Sequence, residues 1–212
     1  MHAHLRAGIA IYNAGEFHAA HDAWEEPWLD LERDTADERL LHGLIQFTAA
    51  IYHAAEDNAD GATGLATSAR EYLDGLEDHR GVNVAAVRGF LARIAADPSV
   101  VHRADPPPLT LGGDALALGG IEFDAGAIVA HVLAGEYDYD EEVIERAISY
   151  ARRDLRRNEA TSPIVTLTLD FARNSDRRPV VFDRLRGHVD RRDAREADLD
   201  GLFETGNRRR DE

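Results

Sequence analysis

An all-α protein, a compact helical bundle with one small extended excursion and a helical C-terminal extension, is the fold class this sequence predicts. Three observations carry that expectation. Apolar residues recur at intervals of three and four through most of the first hundred positions. Turn and capping chemistry falls between those stripes rather than inside them. Runs that read as extended chain are confined to a stretch near 109–123 and to an ambiguous segment at 164–169.

Leu5, Ile9 and Tyr12 form the first helical stripe and Phe17, His21, Trp24 and Trp28 the second, with Asn13-Ala14-Gly15 supplying the turn between them. Thr35 or Asp37 can cap a third helix whose inward residues are Leu41, Leu44, Ile45, Thr48 and Tyr52. Asn58 breaks that pattern, and a fourth helix follows with Ala62, Leu65, Ala66, Ala69, Tyr72, Leu73 and Leu76 inside. A fifth runs from beyond Gly81 through Val84, Val87, Phe90, Leu91 and Ile94 to the stop at Asp97-Pro98. Pro106-Pro107-Pro108 cannot lie inside a helix and marks a stiff connection. Leu109-Thr110-Leu111 and Ala115-Leu116-Ala117-Leu118, separated and followed by paired glycines, read as a small hairpin or extended excursion. Helices are expected again over Phe123–Leu133 and Glu141–Arg157, the second with arginines at the end where cations suit the dipole. Ile164 to Leu169 fits strand or helix by composition, and its helical neighbours favour helix. No unit repeats at a fixed period, which argues against a solenoid.

The charge is large and unevenly placed. Forty acids face 24 basic residues for a net charge of −16, and every basic residue is arginine. Residues 1–145 hold 27 acids against 8 arginines, a balance of −19, whereas 146–212 hold 13 acids against 16 arginines, a balance of +3. A helical domain over 1–157 followed by an Arg-rich extension over 158–212 is therefore expected, such that a chain ending at Arg157 keeps its helices. The extension reads either as a solvated helix with mixed ion pairs or as a tail that docks on the acidic head or on an acidic partner. The final residues, with Arg208-Arg209-Arg210, are expected to be disordered.

Composition also excludes chemistry. The absence of cysteine removes disulfides, thiolate nucleophiles and Cys-ligated metal sites. Without lysine, a P-loop and Schiff-base catalysis are excluded in their usual forms. No Gly-x-Ser-x-Gly elbow is present. The N-terminus carries no apolar run of signal-peptide length and no window reaches a membrane span, so a cytoplasmic protein with no membrane partner is expected. The acidic surface disfavours nucleic acid as a partner of the head. A lysine-free acidic composition resembles that of proteins from salt-loving archaea, where concentrated salt screens self-repulsion. Cooperative unfolding is accordingly expected at a higher temperature in molar KCl than in about 0.1 M buffer; a melting temperature unchanged across that range would remove the halophilic reading.

The densest chemistry lies in Asn13-x-Gly15, Phe17-His18-Ala19-Ala20-His21-Asp22-Ala23-Trp24-Glu25, Trp28, Gly43-Leu44-Ile45-Gln46, Tyr52-His53 and Asn58 with Gly61-Ala62. The order and spacing of these elements resemble the family catalogued as domain of unknown function 309, over roughly 9–76. That resemblance implies a small all-helical fold with the motif helices packed together, and it names no activity. Two departures stand out: Asp22 replaces the Glu common in the family, and Pro27 removes a backbone donor near the end of the motif helix.

His21 and Glu25 are neighbours on one helical face, as four-residue spacing requires. If the second and third helices are antiparallel, His21, Glu25, Gln46 and His53 converge in one partly buried pocket. Such a pocket must be hydrogen-bonded internally, because each unpaired buried polar group costs about 1–3 kcal/mol. Three readings stay open. The four residues can form a structural network that fixes helix pairing, a small-ligand or acid–base pocket, or a divalent-metal site with His21, Glu25 and His53 as ligands. His18 and Asp22 read as a surface ion pair, Trp24 and Trp28 as packing residues. The functional expectation is a structural, interaction or small-ligand-binding module, with a metal-dependent hydrolase using His21, Glu25 and His53 as the alternative. A divalent metal is the one cofactor the residues suggest. The partner is an unspecified protein or small molecule, and homo-oligomerisation is left open.

Overall fold

The computed structural model describes residues 1–77 and 79–208, and the side chains of 1–77 and 79–198. The Arg208-Arg209-Arg210 end falls outside the described side chains. Among the described residues the elements are α1 (His2–Asn13), α2 (Phe17–Leu29), α3 (Ala36–Ala55), α4 (Ala59–Tyr72) and α5 (Val84–Ala96), then a two-stranded hairpin, β1 (Thr110–Leu111) and β2 (Asp114–Ala115). Four further helices follow: α6 (Phe123–Glu136), α7 (Glu141–Arg156), α8 (Pro163–Arg173) and α9 (Arg178–Arg208). The all-α expectation is met, including helix rather than strand at 164–169. Among the described residues no helix is long and apolar enough to cross a membrane.

Helices α1 to α5 pack each against the next, and α1 and α2 also meet α6, which carries α7 and α8 on its other sides. The closest approaches are made by glycine. A Cβ on Gly8 of α1 would lie 2.1 Å from Trp24 Nε1 on α2, and one on Gly43 of α3 would lie 2.5 Å from Leu73 Cγ just beyond α4. The indole therefore lies directly on the α1 backbone, and it is fully buried. Thr35 caps α3 by accepting from the Glu38 N–H, and Asn58 caps α4 by accepting from the Gly61 N–H. Pro27 is accommodated in the last turn of α2, which continues to Leu29.

The extended excursion is real but shorter than its sequence suggests. Gly112 and Gly113, both at positive φ, close a two-residue turn, and Leu118–Gly120 is a 3-10 turn rather than strand. Two amide side chains satisfy this segment. Asn13 donates to the carbonyls of Leu109 and Leu116 and accepts from the Leu109 N–H, while Asn83 donates to the Pro108 carbonyl and accepts from the Thr110 N–H. The Asn of the Asn-x-Gly turn is thus a clamp on a segment about a hundred residues away.

The boundary expected at 157/158 does not coincide with any break in the core. Ile164, Val165 and Phe171 of α8 and Phe182, Leu185 and Val189 of α9 belong to the same contiguous cluster as Trp24 and Leu44. Charge seals the contact. Buried Asp154 of α7 accepts from Arg192 of α9 at 2.7 Å, Arg153 pairs with Glu196 at 3.1 Å, and Asp193 meets both Arg146 and the Tyr150 hydroxyl. Of the extension's arginines, Arg192 meets Asp154 of α7 and Glu196 of its own helix, while Arg173 and Arg178 donate to the carbonyls of Ile121 and Phe171.

Asp37, in the first turn of α3, accepts from His79 at 2.7 Å and from both Arg80 donors. The Arg80 guanidinium in particular holds its carboxyl down at about 2. A folded value below the ordinary 3.8 means that folding favours the charged form. This stabilisation is complete above about pH 4 and is lost as pH falls through about 2. Asp37→Asn is expected to lower stability at neutral pH and to flatten the acid-unfolding profile over that window; an unchanged profile would show that the carboxylate contributes nothing.

Candidate functional site

The outer face of α2 carries His18, His21, Asp22 and Glu25 at spacings of three and four, so the helix itself lines them up. Glu136, at the end of α6, completes the group. His18 Nδ1 lies 2.8 Å from Glu136 Oε2 and 3.8 Å from Asp22 Oδ2, and His21 Nε2 lies 4.0 Å from Glu25 Oε2. Two sets emerge, His18/Asp22/Glu136 and His21/Asp22/Glu25, in each of which the candidate donor atoms lie within 4.8 Å of one another. Asp22 belongs to both. Its carboxyl is pushed above its ordinary value, chiefly by burial and further by Glu136 and Glu25, against the opposing pull of His18 and His21. The hydrogen bond to Glu136 raises the His18 imidazole.

Beside this face, α2 and α3 enclose a cleft of about 160 Å³ lined by Phe17, His18, His21, Thr48, Ala49, Tyr52 and His53. Small Ala49 and Thr48 leave the space and the imidazoles flank it. Tyr52, assigned inward from its spacing, is 57 % exposed instead. Its ring packs edge-on against His53 at the rim of α3.

The four-residue convergence divides. His21 and His53 line one cleft, and Glu25 flanks it from the same face of α2. Gln46 lies elsewhere, donating to His42 Nε2 at 3.0 Å. That contact closes a second polar chain. Trp28 Nε1 donates to Glu38 Oε1 at 2.9 Å, the Asp34 N–H donates to Glu38 Oε2 at 3.3 Å, and His42 Nδ1 faces Glu38 at 3.4 Å. His42 is stacked between Trp28 and Tyr72, with centroids at 4.6 and 3.9 Å. With Nε2 accepting from Gln46, the neutral ring carries its proton on Nδ1, toward the carboxylate. This chain ties α2, α3 and α4 together around a carboxylate only 7 % exposed, a structural use of buried polarity. Trp28 is accordingly a half-buried hydrogen-bond donor, whereas Trp24 is a core residue.

The proposed ligand set His21, Glu25 and His53 also changes. His53 Nδ1 accepts from the Asn58 side-chain amide at 2.8 Å, the same Asn58 whose oxygen caps α4. The neutral ring then carries its proton on Nε2, leaving a donor for the cleft and no lone pair for a metal. The donor atoms of Asp22, His21 and Glu25 lie within 4.8 Å of one another. Glu38 was detectable in sequence as the fourth residue of Thr35-x-x-Glu38, a capping-box spacing. Glu136 had no such signal, being 118 residues from its partner His18.

The spaced elements from Asn13 to Gly61 occupy α1 to α4 as one packed unit. Residues 5–65 match the family model described as Domain of unknown function (DUF309). The matched segment contains Gly8, Asn13, the α2 face, Trp28, Gln46, His53 and the Asn58 cap, and it ends within α4. Gly8, Asn13, Trp28, Gln46 and Asn58 serve packing, capping or polar contacts within the fold, whereas His21, Asp22 and Glu25 on the α2 face have no such role. No curated protein matches the chain.

Proposed function

We propose that the chain is a helical binding module that holds a divalent cation on α2 through His21, Asp22 and Glu25, with the α2–α3 cleft receiving a small ligand beside it. The sharing of Asp22 by two imidazole–carboxylate sets at the mouth of that cleft carries this reading. Three carboxylates, Asp22, Glu25 and Glu136, crowd one face, and no arginine is among the groups that act on Asp22. A cation relieves that repulsion, and a mixed nitrogen–oxygen donor set suits zinc or manganese. The His21 set is favoured over the His18 set because the latter must first break a 2.8 Å hydrogen bond to Glu136. Donor atoms around a four-coordinate ion at about 2.1 Å lie about 3.4 Å apart, so the set, whose donors lie within 4.8 Å of one another, closes by side-chain rotation. The His53 Nε2–H and the apolar Phe17 and Ala49 then face whatever occupies the cleft. We place the protein in the cytoplasm of a cell with concentrated internal salt, as the lysine-free acidic composition supports.

Titration of the untagged full chain with Zn²⁺ and Mn²⁺ by calorimetry tests this. One equivalent is expected to bind, with affinity falling about tenfold or more in Asp22→Asn, in line with loss of a direct ligand, and holding in His53→Gln. Affinity should fall as pH drops, because imidazole must be neutral to ligate. Absence of saturable binding, or equal affinity in Asp22→Asn, would refute the metal site.

A further inference from the structure

A second cavity shares no lining residue with the α2–α3 cleft. A crevice of about 600 Å³ runs between the start of α1, the end of α2, α6 and α7, within the size range of small-molecule sites. Its floor is apolar, formed by Ala127, Ile128 and Val132 of α6 and Ile148 of α7. Its rim is polar, with His4 Nε2 already facing Glu26 at 3.5 Å. Arg146 and Arg153 of α7 are committed to acids, but Arg152 and Arg156, which line the crevice, form no ion pair among the described residues. The same holds for Asp124 and Glu145. His4 and His131, on facing helices, each bury Nδ1 without a hydrogen-bond partner.

We propose that this crevice binds a small zwitterion with an apolar middle, its anionic group on Arg152 and Arg156 and its ammonium group near Glu145. Glu145, Ile148, Ser149, Arg152 and Arg156 follow one another on a single face of α7. Glu145 and Arg152 stand two helical turns apart, about 10 Å, with Ile148 between them. The acid and the arginines therefore mark two ends of one apolar trough. Three acids, Glu26, Asp124 and Glu145, face two arginines around the crevice. A plain anion gains from the arginines but is repelled by the acids, and a plain cation meets the converse; a molecule carrying both charges is complementary at each end. This is the chemistry of an ω-amino acid or of a short apolar peptide with free termini.

Calorimetry on the full chain with 8-aminooctanoate and with the tripeptide Ala-Val-Ala, against octanoate and octylamine, tests the proposal. At least one zwitterion is expected to bind one per chain, about tenfold or more tighter than either singly charged compound; which of the two binds separates the amino acid from the peptide. The double substitution Arg152→Ala/Arg156→Ala should weaken that binding about tenfold or more while leaving the melting curve in place, since both side chains are exposed and unpaired. Glu145→Gln should weaken the zwitterion without weakening octanoate, since the lost charge repels the anion. Asp22→Asn, which should weaken the metal, should leave zwitterion binding in place, and this separates the two sites. Failure of both zwitterions to bind, octanoate binding as tightly as 8-aminooctanoate, or unchanged binding in the double variant would each overturn it.

Discussion

Ending the chain at Arg157 is expected to abolish cooperative unfolding. The lost segment buries Ile164, Val165, Phe171, Val181, Phe182, Leu185 and Val189 against the rest of the molecule. At about 1.5–3 kcal/mol for each large apolar side chain, the loss is on the order of 10 kcal/mol or more. That is comparable with the entire stability of an ordinary domain, about 5–15 kcal/mol. The ion pair between Asp154 and Arg192 goes with it, and Asp154, only 3 % exposed in the full chain, is opened to solvent. Circular dichroism and thermal melting of the 1–157 chain measure the effect. A sharp transition at the full-length melting temperature would show that α8 and α9 are an appendage after all.

Trp24→Ala is expected to destabilise the protein by about 3–5 kcal/mol, the usual cost of emptying a fully buried tryptophan site. The cavity has little prospect of collapsing, because the indole fills the space that Gly8 leaves open on α1. The converse change makes the same point. Gly8→Ala inserts a methyl where Trp24 Nε1 already stands, so despite alanine's better helix propensity it should cost about 1–3 kcal/mol by overpacking. Trp28→Ala acts differently, leaving Glu38 buried with one donor fewer while the core stays filled. Denaturant titration at constant high salt, followed by far-UV circular dichroism, distinguishes these cases. A small effect of Trp24→Ala together with exposed-type emission from both indoles would reassign them to a surface.

Much of the fold was determined by sequence alone. The stripes Leu5–Ile9–Tyr12 and Leu41–Leu44–Ile45–Thr48, the Thr35 cap, the break at Asn58 and the diglycine turn depend on interactions spanning two to four residues, and each stands where its spacing put it. Helix at 164–169 needed only its neighbours. The face of α3 that meets α2 and the face that meets α4 are another matter. Gln46 and His53 are seven apart and share one face by periodicity, yet Gln46 joins His42, Trp28 and Glu38 while His53 turns to Asn58. Tyr52 is likewise left at the surface because no helix arrives to cover it. Only tertiary structure decided that Glu136 comes to His18, that α9 closes on Asp154, and that the arginines of α7 divide into paired and unpaired sets. Helical periodicity is local, set by hydrogen bonds four residues long. A side chain's final partner is set by which distant element packs closely enough to desolvate it, and no short window of sequence contains that element.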